Sequence, residues 1–313
     1  MFPLLISHLA TGATMYSKRT PEEILQLFHA FAAHDSIVPQ ADELVDWFGI
    51  RVPISLVPHL KSRAGTRIES PPYPDDGIRA TFIEYLAVVD SITAMGENYA
   101  MAEVGASYGP FSALCATLAL RRGARKVVLR AVEAARNAYS VIHENYARNG
   151  LLGHEAVDWF VLNAAVEADF KTLFFPDVDC VIDNGASVQE QATAVDIRGA
   201  ALPMMPVQSV PLQAILALFP NGMLIDLLHV DIQGAERKAL PGGLCALNER
   251  VKRLLLATHS RRIEGEMIDL LSGSGWELVA EEPCGFSPRA DVLAVEGWTT
   301  KDGTQYWINR ALI

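Results

Sequence analysis

From Tyr99 onward, short apolar runs alternate with helical segments, and this alternation constrains the fold more than any other feature of the chain. The runs cover residues 99–105, 126–133, 157–163, 179–183, 224–231, 253–259, 276–281 and 291–296. Helical patterns at 109–122, 134–149, 234–240 and 264–272 separate most of them. Nearly continuous apolar strands, each followed by a helix, predict a mainly parallel α/β sheet covered on both faces. Sheets of this kind bind ligands at the carboxyl ends of their strands. The residues that close each run are therefore the ones that carry the chemistry.

Upstream the pattern differs. Thr20-Pro21-Glu22-Glu23 reads as a helix start, with Thr20 as cap, Pro21 in the first turn and Glu23 completing a capping box; the helix is expected to reach about Ala33. A shorter helical pattern covers 41–48, a proline-rich connector covers 71–77, and a longer helix is expected over 78–95. Residues 1–95 thus read as a helical extension, acting as a lid or as an oligomer contact such as a homodimer interface. Residues 96–313 read as the ligand-binding domain. The apolar stretch near the N-terminus lacks the positive region of a secretory signal, and Met15 is an alternative start. No run of 18 apolar residues occurs, so no membrane span is expected.

The formal net charge is -11 over 313 residues. A surface that acidic repels a phosphate backbone, so nucleic acid is not an expected partner. Cys115, Cys180, Cys245 and Cys284 are far apart and form no C-x-x-C pair. They read as thiols of a reducing, cytoplasmic protein rather than as a disulfide framework or a zinc site.

The first strand of the alternating region leads into Glu103-Val104-Gly105-Ala106-Ser107-Tyr108-Gly109-Pro110. A strand, a small-residue turn and a helix let a backbone approach a nucleotide closely. The dinucleotide fingerprint needs glycine where Ser107 and Pro110 stand, and the phosphate-cradling G-x-x-x-x-G-K-[ST] loop is absent. What remains is an acid leading into a Gly-x-x-x-Gly turn. S-adenosylmethionine is a cationic, phosphate-free adenosyl ligand, and Glu103 suits its ammonium end. The second strand ends at Glu133, 30 residues after Glu103. An acid at that height accepts hydrogen bonds from ribose hydroxyls. Asn163, closing the third strand ahead of Ala164, is positioned to pair with an adenine edge. Gly105, Ala106, Ser107, Tyr108 and Ala164 complete the expected cofactor contacts.

At these residues the chain resembles the FkbM-type methyltransferases. Glu103 to Gly109 looks like the first motif of that family. Val132-Glu133 and Asn145-Tyr146-Ala147-Arg148-Asn149-Gly150 resemble its second strand and helix. His229-Val230-Asp231-Ile232-Gln233-Gly234-Ala235-Glu236 matches its Asp-x-x-Gly-x-Glu box, the most specific of these features, and Thr258-His259-Ser260-Arg261-Arg262-Ile263-Glu264-Gly265 resembles a box of one branch. The resemblance spans roughly residues 99–283. It leaves out the first 95 residues and the tail from Gly297. It implies a seven-stranded, Rossmann-like sheet of the class I methyltransferase type, S-adenosylmethionine as cofactor, and O-methylation of a sugar, glycan or secondary metabolite.

The downstream boxes also have their own reading. Alternation puts His229 and Asp231 on one strand face. Asp231, a carboxylate at the strand end, needs a partner: substrate, cofactor or metal. His229 reads as a core histidine, and Glu236 as a turn-stabilising acid near a helix start. His259 ends another run and is the expected base for a substrate hydroxyl. Arg261 and Arg262 are substrate clamps or solvated charges, with Glu264 as an alternative ion-pair partner. A Mg²⁺ ion on Asp231 would need a second carboxylate, for which Asp183 is the candidate. His143 and His154 are read as surface positions. Acceptor choice is expected to lie in loops 60–77, 184–209 and 283–290. A nicotinamide-dependent oxidoreductase and a non-catalytic scaffold are the competing classes.

Overall fold

The continuous apolar strands answer to two separate cores, one on each face of a central sheet. The structure, a computed structural model, describes the chain apart from residues 1–3, 8–13, 34–36, 80, 180, 182–184, 193–200 and 293–294. In one central strand Tyr99 and Met101 face one core while Ala100, Ala102 and Val104 face the other. Leu255 and its neighbours Leu254 and Leu256 divide in the same way. A strand covered on both sides needs both registers apolar, which hides the period-two pattern.

The sheet has nine strands among the described residues. They are β1 (Leu4–Ser7), β2 (Thr14–Ser17), β3 (Asn98–Val104), β4 (Lys126–Glu133), β5 (Val157–Asn163), β6 (Leu227–Val230), β7 (Arg253–Thr258), β8 (Trp276–Glu282) and β9 (Gly303–Asn309). Their order is β1-β2-β8-β9-β7-β6-β3-β4-β5. The run from β5 to β7 is parallel, and β9 lies antiparallel to both of its neighbours. Helices α1 (Pro21–His29), α2 (Phe82–Thr93), α3 (Pro110–Arg121) and α4 (Ala138–Arg148) serve one core. Helices α5 (Leu212–Leu216), α6 (Glu236–Arg250) and α7 (Arg261–Gly273) serve the other. This is a Rossmann-like, mainly parallel sheet with helices on both faces. Strand order reverses between β3 and β6, which opens a crevice at their carboxyl ends.

The N-terminal residues depart from the expected helical extension. The β1–β2 hairpin lengthens the sheet by pairing β2 with β8. Residues 41–48 are not a helix. Glu43–Val45 pairs with Arg51–Pro53, and the Asp46 carboxylate closes the hairpin by accepting from Ile50 N at 2.8 Å. Gly49 makes the turn at φ +79°. The helices at either end of the extension do form. Thr20 and Glu23 make the capping box of α1, and α2 is buried on every side from Phe82 to Ile92. A helix buried all round belongs inside a core, and α2 lies against β7 and β9 beneath α1.

Further strands outside the expected set complete the fold. β9 comes from the tail, and Met204–Val210 comes from the expected loop 184–209, where it forms a small sheet with Ala165–Val166 and Thr172–Pro176. Of the run expected at 291–296, residues 293–294 lie outside the described residues, while Val295–Trp298 is a 3₁₀ turn and Trp298 Nε1 donates back to the Arg289 and Val292 carbonyls. The strand expected at 179–183 falls mostly outside the described residues. No helix among the described residues is long and apolar enough to cross a membrane.

Candidate functional site

The turn after β3 is shaped by what it must pass. A Cβ on Gly105 would overlap the Asp231 carbonyl oxygen, and the residue sits at φ +77°. Glycine is thus required for β3 and β6 to end side by side. Ser107 (φ 45°) and Gly109 (φ 72°) continue the turn through left-handed conformations. From α4, the Asn145 amide donates to the Tyr108 and Gly109 carbonyls at 3.0 and 3.1 Å and pins it.

Nearly all N–H groups of this turn are engaged. Gly105 and Ala106 donate to the Val132 carbonyl, and Gly109 donates to Ala106. Ser107 N donates to Glu133 Oε2 at 2.8 Å. At the start of α3, Phe111 N and Ser112 N donate to the two Glu103 oxygens at 3.0 and 2.8 Å, while Pro110 has no N–H to give. Glu103 is therefore a buried cap on the helix as well as a wall of the cleft. Burial pushes its pKa up to about 7, against the pull of the Ser112 and Phe111 hydrogen bonds.

Glu133 reaches the same cleft from β4. Its second oxygen accepts from Ala135 N at 2.9 Å, so the carboxylate ties two turns together. Burial raises its pKa and the backbone donors resist. Both acids line one cavity of about 250 Å³, together with Gly105, Ala106, Ser107, Tyr108 and Ala164. Asn163 departs from its expected place. Its amide donates to the Glu133 and Ala135 carbonyls at 2.8 and 2.7 Å on the exposed side of the strand end. It clamps the backbone, and Ala164, Ala165 and Val166 face the cavity instead.

Sequence reasoning missed the cleft residues that come from the extension, namely Ile78, Arg79 and Glu84. Arg79 is buried, with Nη1 on Asp46 Oδ2 at 2.7 Å and Nε on the Pro110 carbonyl at 3.3 Å. An arginine just ahead of a buried helix was the available signal.

Asp231 follows β6 and borders the cleft, with 36% of its side chain exposed. Behind it stands His259, nearly buried, with Nε2 3.1 Å from Asp231 Oδ1 and Nδ1 2.9 Å from Glu236 Oε1. Glu236 is fully buried and also accepts from Ile232 N at 3.0 Å and Gly234 N at 2.9 Å. It fixes both the turn and the ring. Burial by itself would keep His259 neutral. The Glu236 charge and the Asp231 contact outweigh it and hold the pKa well above 6.5. For Asp231, burial opposes ionisation, but His259 overrides it and lowers the pKa. His259 thus stands between two carboxylates that favour its charged form. Both ring nitrogens face those acids and the ring does not line the cleft, which weighs against its expected role as a free base.

The sign of this linkage is testable. A raised folded-state pKa contributes stability that is fully present below about 6.5 and is lost as pH climbs through the folded value. The stability advantage of the wild type over His259→Gln should therefore be largest near pH 6 and shrink toward pH 9 in urea melts. A gap that widens with pH would contradict the imidazolium.

Asp231, Glu236 and His259 each bring one potential ligand atom within 4.8 Å of the others. The two acids meet opposite ring nitrogens, however, and one cation binds only one edge of an imidazole. The set suits a proton-bearing ring better than a metal ion. Asp183, the other candidate ligand, lies outside the described residues. Arg262 pairs with Glu266 at 2.8 Å, and Arg261 lies 3.7 Å from Glu264 and over the Phe286 ring. His143 is exposed, as expected.

No protein-family model matches the chain. A relative from Jannaschia sp. (strain CCS1), named "Putative methyltransferase", is 28% identical over 264 residues, covering 81% of this chain and 90% of its own. Among solved structures, the SAM-dependent methyltransferase from Agrobacterium tumefaciens is 12% identical with a TM-score of 0.40, covering 73% of this chain and 61% of that one. The METTL16 MTase domain is 11% identical with a TM-score of 0.40, covering 72% and 66%. At such scores the likeness is remote, and the fold assignment stands on strand order and connection.

Proposed function

We propose that the chain is an S-adenosylmethionine-dependent methyltransferase of the FkbM type, acting on a hydroxyl of a sugar, glycan or secondary metabolite. The observation that carries this is the state of the α3 N-terminus. A pyrophosphate binds a turn of this kind through its backbone N–H groups and the helix dipole. Here Glu103 already occupies those donors, and a second carboxylate, Glu133, stands beside it. The cleft therefore repels phosphate and suits a cationic adenosyl ligand, which disfavours a nicotinamide cofactor. Sequence similarity to a methyltransferase over most of both chains supports the same class.

Glu133 would hold the ribose diol, Ala164 to Val166 the adenine, and the Glu103 wall the amino-acid end. When bound, S-adenosylmethionine supplies an electrophilic methyl group on a sulfonium. The chain's part is alignment, exclusion of water and removal of the acceptor proton. Asp231 is the only member of its triad on the cleft wall, and it takes the proton from the acceptor hydroxyl. His259, charged and fixed by Glu236, orients Asp231 and stabilises its ionised form.

The test uses methyl-tritiated S-adenosylmethionine with parallel panels of saccharides, hydroxylated small molecules, amines and RNA. Label is expected in a hydroxylated acceptor; label confined to RNA or amines would overturn the O-methylation reading. With the acceptor found, Asp231→Asn should lower kcat by about 10²–10⁴-fold, the usual worth of a positioned proton acceptor. Its affinity for S-adenosylhomocysteine should stay within a few-fold. Unchanged turnover removes Asp231 from this role.

A further inference from the structure

His229 is a buried polar side chain that the triad and the ribose site leave unused. It lies on β6 in register with Glu103 on β3 and is 3% exposed. Among the described residues neither ring nitrogen has a hydrogen-bond partner, yet the residue lines the cleft. The Phe111 ring packs against it, centroids 4.5 Å apart at 61°, which fixes the plane of the imidazole. Buried polar atoms are nearly always satisfied, so an orphaned ring aimed into a cavity calls for a ligand group. Its nearest charged atom is Glu103 Oε1, 3.9 Å from Nδ1. That separation is too long for a direct hydrogen bond. It is somewhat shorter than the ~4.6 Å that two acceptors at about 2.8 Å from one tetrahedral ammonium span, so the pair takes such a group between them after a small outward shift.

We propose that His229 is a ligand-positioning residue whose Nδ1 accepts a hydrogen bond from the ammonium of the cofactor's amino-acid end, alongside Glu103. The assignment rests on the S-adenosylmethionine reading above and adds to it the group that recognises the amino-acid end. Two features agree. A neutral imidazole has one acceptor nitrogen, whereas an imidazolium has none. Burial drives His229 to the neutral form, lowering its pKa to about 4 despite the nearby Asp231 charge. Phe111 belongs to the helix that Glu103 caps, so the ring packed against His229 is tied to the other acceptor.

The test compares S-adenosylhomocysteine with methylthioadenosine, which keeps the nucleoside and lacks the amino-acid end, by calorimetry. His229→Leu should bind S-adenosylhomocysteine about 10–100-fold more weakly, the worth of one charge-assisted hydrogen bond. It should bind methylthioadenosine within about 3-fold of wild type, and His229→Asn, which returns an acceptor near the Nδ1 position, should recover most of the loss. Equal losses for both ligands would mean a packing role and overturn the proposal, as would no loss for either. On the unmodified chain, the His229 Nδ1 ¹⁵N resonance should move with S-adenosylhomocysteine and not with methylthioadenosine; identical responses overturn the proposal without any variant. A wild-type chain that binds neither ligand removes the cofactor reading itself, and this assignment with it. Wild-type binding of both ligands without discrimination by the variants removes only this assignment.

Discussion

Glu133→Ala is expected to weaken S-adenosylhomocysteine binding by about 10²–10³-fold, the loss of two hydrogen bonds to a carboxylate. The carboxylate is buried, and it already accepts from Ser107 N and Ala135 N. Its remaining lone pairs face the cleft, where a vicinal diol is the natural donor pair. The variant removes the diol acceptor and also frees the turn that shapes the cleft, so both effects act in one direction. Glu133→Gln separates them: it keeps the bulk and one acceptor oxygen, and should fall between. Calorimetry reads both variants. An affinity within about 3-fold of wild type for Glu133→Ala would place the ribose elsewhere.

Gly105→Ala should be the most damaging glycine-to-alanine change among the described residues. The added Cβ would overlap the Asp231 carbonyl, which is backbone and cannot step aside, at a φ that side chains rarely adopt. The two strand ends must then separate, breaking the Asp231 N to Val104 O bond. A cost of about 3 kcal/mol or more follows from strain of this kind, which lowers Tm by roughly 10 °C. Thermal melts followed by circular dichroism measure it. Superimposable melting curves for variant and wild type would mean that β3 and β6 do not close on one another as described.

The parallel strands were legible because burial on both faces leaves an unmistakable apolar run, and the acids closing those runs were legible because only strand ends meet a ligand. Glu103, Glu133 and Asp231 do converge on one cleft. The functions of individual side chains were harder to read. Asn163 stands at the right height but turns its amide onto two carbonyls, a local choice that spacing does not reveal. Glu236 looked like an ordinary helix-start acid, and only the fold brings it to His259 from another strand end. That pairing, in turn, decides the charge of His259. β9 was missed although Tyr306, Trp307 and Ile308 carry strand propensity, because it inserts antiparallel between β8 and β7 from the far end of the sequence. The hairpin at 43–53 escaped because the Asp46 side chain closes its turn, and a three-residue strand has no period to detect.

The claim on which the rest depends is that the cleft between Glu103 and Glu133 takes a phosphate-free adenosyl ligand. Titration of S-adenosylhomocysteine and of NADH into the unmodified chain tests it directly. The ligand's roughly 26 heavy atoms at about 0.3 kcal/mol each give a Kd on the order of 1 μM. The prediction is one site per chain for S-adenosylhomocysteine and no heat with NADH. Saturable binding of NADH, with none of S-adenosylhomocysteine, would contradict it.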